Sequence, residues 1–121
     1  MPIREKIRKG FKNFDEIYTI NANDFNSLFK AKPNKILLID VRENEEFSTS
    51  ALKGSISIPL SHLNQESDLK FIQKESLSKE VFTICKSGNR SEKASRILSK
   101  FKIQSRSIEG GIEKVKKMLC K

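Results

Sequence analysis

Two short apolar runs constrain this chain more than anything else in it. Ile36-Leu37-Leu38-Ile39-Asp40-Val41 is almost continuously apolar, and Val81-Phe82-Thr83-Ile84 repeats the pattern. A strand with one wet face alternates apolar and polar residues, whereas a run without alternation needs cover on both faces, as in a parallel sheet. Parallel strands cannot be joined by tight hairpins, so helices should lie between them. The intervening residues supply them. Asn21 is placed to cap a helix striped by Phe25, Leu28 and Phe29, with Asp24 in its first turn. Ala31-Lys32-Pro33-Asn34 closes that helix with turn chemistry.

The rest of the chain continues the alternation. Tyr18-Thr19-Ile20 and Ile56-Ser57-Ile58 read as short strands, the second ended by Pro59. Residues 60 to 78 carry helical spacing around Leu69, Ile72 and Leu77. Ala94, Ile97, Leu98 and Phe101 stripe a further helix that begins near Ser91. Ser105 to Ile108 reads as a last strand, Gly110-Gly111 as a sharp turn, and Ile112, Val115 and Leu119 as the apolar face of a final helix. The expectation is an α/β domain with a mainly parallel sheet. Binding sites in such sheets lie at the carboxyl ends of the strands, and both Asp40-Val41-Arg42 and Cys85 fall there.

With 121 residues, the chain suffices for one domain with a real core and not for two. Residues 1 to 14 read as a basic leader or linker, and 15 to 121 as the domain. No apolar run approaches the ~20 residues that span a bilayer, and no signal-peptide stretch follows the basic start. The expected compartment is the cytoplasm, where the two cysteines, Cys85 and Cys120, should be free thiols. The net charge of +9 is concentrated at the ends: residues 1 to 12 hold five Lys/Arg against Glu5, and residues 113 to 121 hold four Lys against Glu113. Those segments carry +4 and +3, leaving +2 on the other 100 residues. A nucleic-acid reader needs a basic face interleaved with polar or aromatic readers; basic ends on a nearly neutral body argue against one.

The segment Cys85-Lys86-Ser87-Gly88-Asn89-Arg90-Ser91 joins a buried strand to a helix. Gly88 permits backbone conformations closed to other residues, and successive amides in a tight turn can form an anion-binding nest. A helix start adds its positive dipole end, while Arg90 and Lys86 add full charges. Together these features should hold Cys85 as a thiolate. Such a sulfur can attack electrophilic sulfur and carry it as a persulfide, without a metal or an organic cofactor. Other readings stand beside this one. Cys85 could be a buried structural thiol, or half of a Cys-His dyad with His62, the one histidine. Lys86 is either at the pocket rim or in solvent. Asp40 is either site support or a strand terminus. Arg42 either pairs with Glu45 or Glu46 or contacts the site. Cys120 is either a frayed-end thiol or a resolving partner for Cys85.

The order of motifs resembles a single-domain rhodanese, a sulfurtransferase family. The matching pieces are Leu37-Leu38-Ile39-Asp40-Val41-Arg42-Glu43, Glu46-Phe47, Gly54-Ser55-Ile56-Ser57-Ile58-Pro59-Leu60, Cys85 to Ser91, and Glu109-Gly110-Gly111-Ile112. They span roughly residues 17 to 119 in family order. The resemblance implies a central, mostly parallel five-stranded sheet flanked by helices on both faces. It also implies Cys85 as the persulfide-bearing nucleophile and residues 85 to 90 as the active-site loop. Asp40, Arg42 and Ser91 would support the loop, and Gly110-Gly111 would approach the pocket.

In that family a loop of six residues from cysteine to arginine goes with sulfur transfer. Seven-residue loops go with related phosphatases and arsenate reductases. Six are present here, so the resemblance favours sulfur; phosphatase or arsenate-reductase chemistry on the same fold, and a non-catalytic binding module, are the alternatives. Ser50-Ala51-Leu52-Lys53 stands where the family often has Gly-His-Ile-Pro, and no tryptophan follows the Gly-Gly turn. The long segment Ser61 to Lys79 resembles the rhodanese domains fused to ubiquitin-activating-like adenylyltransferases. The partners so implied are thiosulfate or a persulfide-bearing protein as donor and an acidic sulfur-carrier protein as acceptor, with the chain a monomer.

Overall fold

In the computed structural model, residues 18–119 are described. The leader at 1–14 and Cys120 lie outside them. Five strands, β1 (Tyr18–Ile20), β2 (Ile36–Asp40), β3 (Ser55–Ser57), β4 (Glu80–Ile84) and β5 (Ser105–Ile108), form one sheet in the order β1-β5-β4-β2-β3. Every pairing is parallel. The α-helices are α1 (Ala22–Ala31), α2 (Asn44–Ser50), α3 (Glu66–Glu75), α4 (Asn89–Lys100) and α5 (Gly111–Leu119), with short 3-10 turns at Pro33–Lys35 and Leu60–His62.

The two apolar runs became the two central strands. Alternate residues of each feed opposite cores. Leu37, Ile39, Val81 and Cys85 pack with Leu69 and Ile72 of α3 and Ala94 and Leu98 of α4. Leu38, Phe82 and Ile84 pack with Phe25 of α1 and Ile112 and Val115 of α5. On this second face Phe25 is fully buried and meets Phe82 edge-on at 5.3 Å and Phe29 in a stack at 5.2 Å. Truncating a ring so placed costs about 3–5 kcal/mol.

From β2 the chain moves to β3 on one side; from β4 it moves to β5 on the other. The order reverses between β2 and β4, and the crevice outside their carboxyl ends is where such sheets bind ligands. The Val41 amide donates to the Ile84 carbonyl at 2.9 Å, continuing the pairing to the lip of that crevice. The segments that follow both strands therefore meet there.

The Asn21 cap forms as expected, its side-chain oxygen accepting from the Asp24 amide at 2.8 Å. Four local expectations are corrected. Leu77 is not on a helix stripe: α3 ends at Glu75, the Ser76 amide returns to the Ile72 carbonyl, and Leu77 is 87% exposed. Phe101 stands at the end of α4 and is 40% exposed, because the chain turns through Lys102 at φ 62° and buries Ile103 instead. Ile58 lies beyond β3, although its amide still donates to the Asp40 carbonyl. The helix after the crevice starts at Asn89, two residues before Ser91, which puts Arg90 in its first turn. Helix α2 has no counterpart in the sequence reading. Its seven residues, NEEFSTS, bury none of their side chains, so no apolar stripe announces it.

Candidate active site

Cys85 immediately follows β4 and is 1% exposed, at the floor of the crevice. Its sulfur does not sit among hydrocarbon alone. The Gly88 amide donates to Sγ at 3.0 Å, and the Ser91 hydroxyl lies 3.6 Å from it. Gly88 adopts φ 119°, a left-handed conformation that costs a side-chain-bearing residue and lets this amide face the sulfur. Gly88 also caps α4, so the sulfur lies at the positive end of a 12-residue helix. Of the remaining loop residues, Lys86, Ser87 and Asn89 are exposed and Arg90 is half-buried. Lys86 is thus in solvent.

The second half of the site is the Gly110-Gly111 turn. The Ile112 amide donates to the Cys85 carbonyl at 2.8 Å. A β-carbon on Gly111 would overlap the carbonyl oxygens of both Cys85 and Lys86. Gly110, at φ 78°, has no room either, since a β-carbon would lie 2.7 Å from that of Lys114. The turn therefore packs backbone against backbone and fixes the start of the cysteine loop from the β5 side.

Asp40 and Arg42 meet each other. Arg42 donates from Nε to Asp40 Oδ1 at 3.0 Å and from Nη2 to Oδ2 at 2.9 Å, and its backbone amide also reaches Oδ1. Both residues are buried, and the guanidinium goes on to bond the Ser50 hydroxyl and carbonyl at the end of α2. Arg42 does not pair with Glu45 or Glu46. The buried pair ties the end of β2 to α2, which carries Glu46.

Glu46 is the neighbour of the loop that the sequence reading quoted without assigning a role. Its carboxylate takes both terminal nitrogens of Arg90, at 2.7 Å and 3.0 Å. The Glu43 amide donates to the same carboxylate at 3.2 Å within a capping box at the start of α2. The Arg90 hydrogen bonds, aided by the Glu43 amide, pull the Glu46 carboxyl from the ordinary 4.5 down to about 2. Glu46 in turn raises Arg90 further above its usual range. Arg90 thus brings its full charge near the sulfur as expected, but as one half of an ion pair whose other half is the Glu46 carboxylate.

Behind the sulfur runs a set of buried hydroxyls, of which the sequence pointed to Ser91 alone as site support. Ser91 Oγ donates to the Gly88 carbonyl at 2.9 Å and lies 2.6 Å from Ser107 Oγ. Thr83 Oγ1 is 2.9 Å from Ser95 Oγ and bonds the Ser91 carbonyl, and Ser105 donates to Ser95 at 2.8 Å. All five residues are buried. The available signal was chemical: Thr83 interrupts an apolar strand, and Ser105 and Ser107 sit two apart on β5, facing α4 together. His62 is exposed on its 3-10 turn, and no histidine bonds the sulfur among the described residues. Nor do those residues include a cluster suited to a metal ion, or a helix long and apolar enough to cross a membrane.

A parallel α/β sheet with a cysteine loop feeding a helix at its switch point is an arrangement able to hold a small anion or electrophile beside a thiol. The rhodanese-like domain matches residues 21–118, and the chain belongs to that family. It is 39% identical over 75 residues to the adenylyltransferase and sulfurtransferase MOCS3 of Drosophila virilis, covering 60% of this chain and 16% of that protein. It is 31% identical over 105 residues to a Schizosaccharomyces pombe protein named "Putative thiosulfate sulfurtransferase, mitochondrial", covering 76% of this chain and 74% of that one. The crystal structure of a rhodanese-related protein from Thermoplasma volcanium superposes with a TM-score of 0.68 at 30% identity, over 84% of this chain and 92% of that one. The chain spans about a fifth of the length of the adenylyltransferase-sulfurtransferases it matches.

Proposed function

We propose that the protein is a sulfurtransferase in which Cys85 accepts sulfane sulfur and passes it on. With thiosulfate, the Cys85 thiolate attacks the outer sulfur and the S–S bond to the sulfonate breaks. The products are Cys85-S-S⁻ and sulfite, with charge conserved. A thiophile such as cyanide then takes the terminal sulfur, regenerating the thiolate and leaving as thiocyanate. Each half is an exchange at sulfur and needs no external oxidant or reductant.

The observation that carries this reading is the Gly88 amide aimed at Cys85 Sγ from the start of α4. A preorganised N–H donor stabilises charge on sulfur without reorganising during the reaction. The buried location fits, since such a donor is worth more where water is excluded. A structural thiol in a core has apolar neighbours on every side, and this one has an amide and a hydroxyl. Burial alone would suit a binding module; burial with an amide donor and a hydroxyl partner suits a nucleophile. The six-residue count from Cys85 to Arg90 supports sulfur over the larger phosphate or arsenate.

Ser91 and Ser107 extend the cradle. The Ser91 hydroxyl has one proton, now given to the Gly88 carbonyl. When the sulfur is anionic, that proton can turn to it instead. The Gly88 carbonyl keeps the Glu92 amide, at 3.1 Å, as a partner. Ser107 can donate to Ser91 in both states, so no buried oxygen is orphaned by the rotation.

The acceptor surface is basic. Lys86 is exposed, and Lys114, Lys116 and Lys117 of α5 outnumber Glu113 around a shallow cavity of about 650 Å³ beside Gly110. An acidic sulfur-carrier protein is the acceptor such a rim suits. In a thiosulfate–cyanide assay the wild-type chain should form thiocyanate and Cys85→Ser should not. Equal turnover by the two would end the proposal.

A further inference from the structure

Arg90 closes the cysteine loop at the place where a guanidinium would meet an incoming anion. Guanidinium is suited to that task because its terminal nitrogens grip two oxygens of one anion at once. Here both terminal nitrogens are already held by the two oxygens of Glu46. The carboxylate cannot swing aside freely, because the Glu43 amide at the start of α2 also holds it. Arg42 does not substitute for Arg90, since its guanidinium is committed to Asp40 and Ser50. An anion that displaced Glu46 would leave an uncompensated carboxylate beside itself. That repulsion grows with the anion's own charge.

We propose that Glu46 is a specificity-determining residue: by occupying Arg90 it discriminates against sulfur donors in proportion to their negative charge, so that dianions such as thiosulfate are disfavoured relative to donors with one charge or none. This rests on the reading of Cys85 as the sulfur acceptor, but the pair controls anion access to the thiol whatever the thiol does next. The low carboxyl pKa of Glu46 means that it keeps its charge at every pH at which the protein would work. What remains for the sulfur is the neutral amide cradle, which suits one negative charge.

The test uses the full chain and two alkylating probes of nearly equal size, iodoacetate and iodoacetamide. Each converts the Cys85 thiolate to a thioether with loss of iodide, and they differ by one negative charge. Rates at Cys85 are read by peptide mass spectrometry, which separates it from Cys120. Glu46→Gln keeps a side chain able to complete the capping box, and it should raise the iodoacetate-to-iodoacetamide rate ratio about threefold to tenfold. Arg90→Gln, which leaves Glu46 bare, should move the ratio the other way. Taking the ratio cancels any change in the nucleophilicity of the sulfur itself. With thiosulfate as donor, Glu46→Gln should lower KM by about tenfold. A ratio unmoved in both variants overturns the inference. A ratio that moves while no donor loads sulfur on the wild-type chain upholds the role of Glu46 and removes the sulfurtransferase reading instead.

Discussion

Gly111 is pressed against the carbonyl of Cys85. The turn that carries it donates the Ile112 amide to that same carbonyl, and no β-carbon fits between the two backbones. The contact locks the end of β4 to the start of α5 and so sets where the cysteine loop begins. The position of the sulfur thus depends on a glycine 26 positions away along the chain.

Replacing Gly111 by alanine should be severe for two separate reasons. The methyl group collides with backbone rather than with a flexible side chain, and the φ of 62° is strained for any residue with a β-carbon. We expect a loss of about 2–4 kcal/mol in urea unfolding. A variant as stable as the wild type would show that the turn can retreat from the loop.

Ser107 should matter to the sulfur without touching it. Ser107→Ala removes the donor to Ser91 and should slow sulfur loading by about threefold to tenfold. Ser107→Thr, which retains the hydroxyl, should restore most of that rate. Equal rates in all three proteins, with unchanged circular dichroism, would remove the hydroxyl pair from the mechanism.

The Glu46–Arg90 pair gives the fold a defined acid response. Glu46 titrates near 2 in the folded protein against an ordinary 4.5, so in that window the unfolded chain binds more protons. The pair's contribution is therefore complete above about pH 4.5 and is lost as pH falls through about 2. The stability difference between wild type and Glu46→Gln should be constant above the upper limit and shrink below it. Because the pair is about one-third exposed, the difference should also shrink in high salt. A difference that widens on acidification would contradict the assignment.

Much of this was legible in the sequence, and what was not has physical reasons. Ile36–Asp40 and Glu80–Ile84 announced central strands because burial on both faces removes the usual alternation. The loop from Cys85 to Arg90 was legible because a left-handed glycine before a helix start is a local arrangement. Helix α2 was not legible, since its capping box holds it while its side chains stay out of the core. The partner of Arg90 was illegible for a different reason. Glu46 lies 44 residues away, and only the crevice between β2 and β4 brings the two together. Arg42 misled in the same way: a charge beside three glutamates bonded instead to the aspartate two residues before it, because both were carried indoors at the end of β2. Ser105 and Ser107 showed their alternation plainly, but only the packing of α4 on β5 reveals what they face.

The most direct measurement is the mass of the intact chain after incubation with a sulfane donor, followed by peptide mapping. Cys85 should gain one sulfur atom, removed by cyanide with release of thiocyanate, and Cys85→Ser should show no such gain. A wild-type chain that gains no sulfur from thiosulfate or from an organic persulfide, or a Cys85→Ser chain that gains it equally, would contradict the central claim.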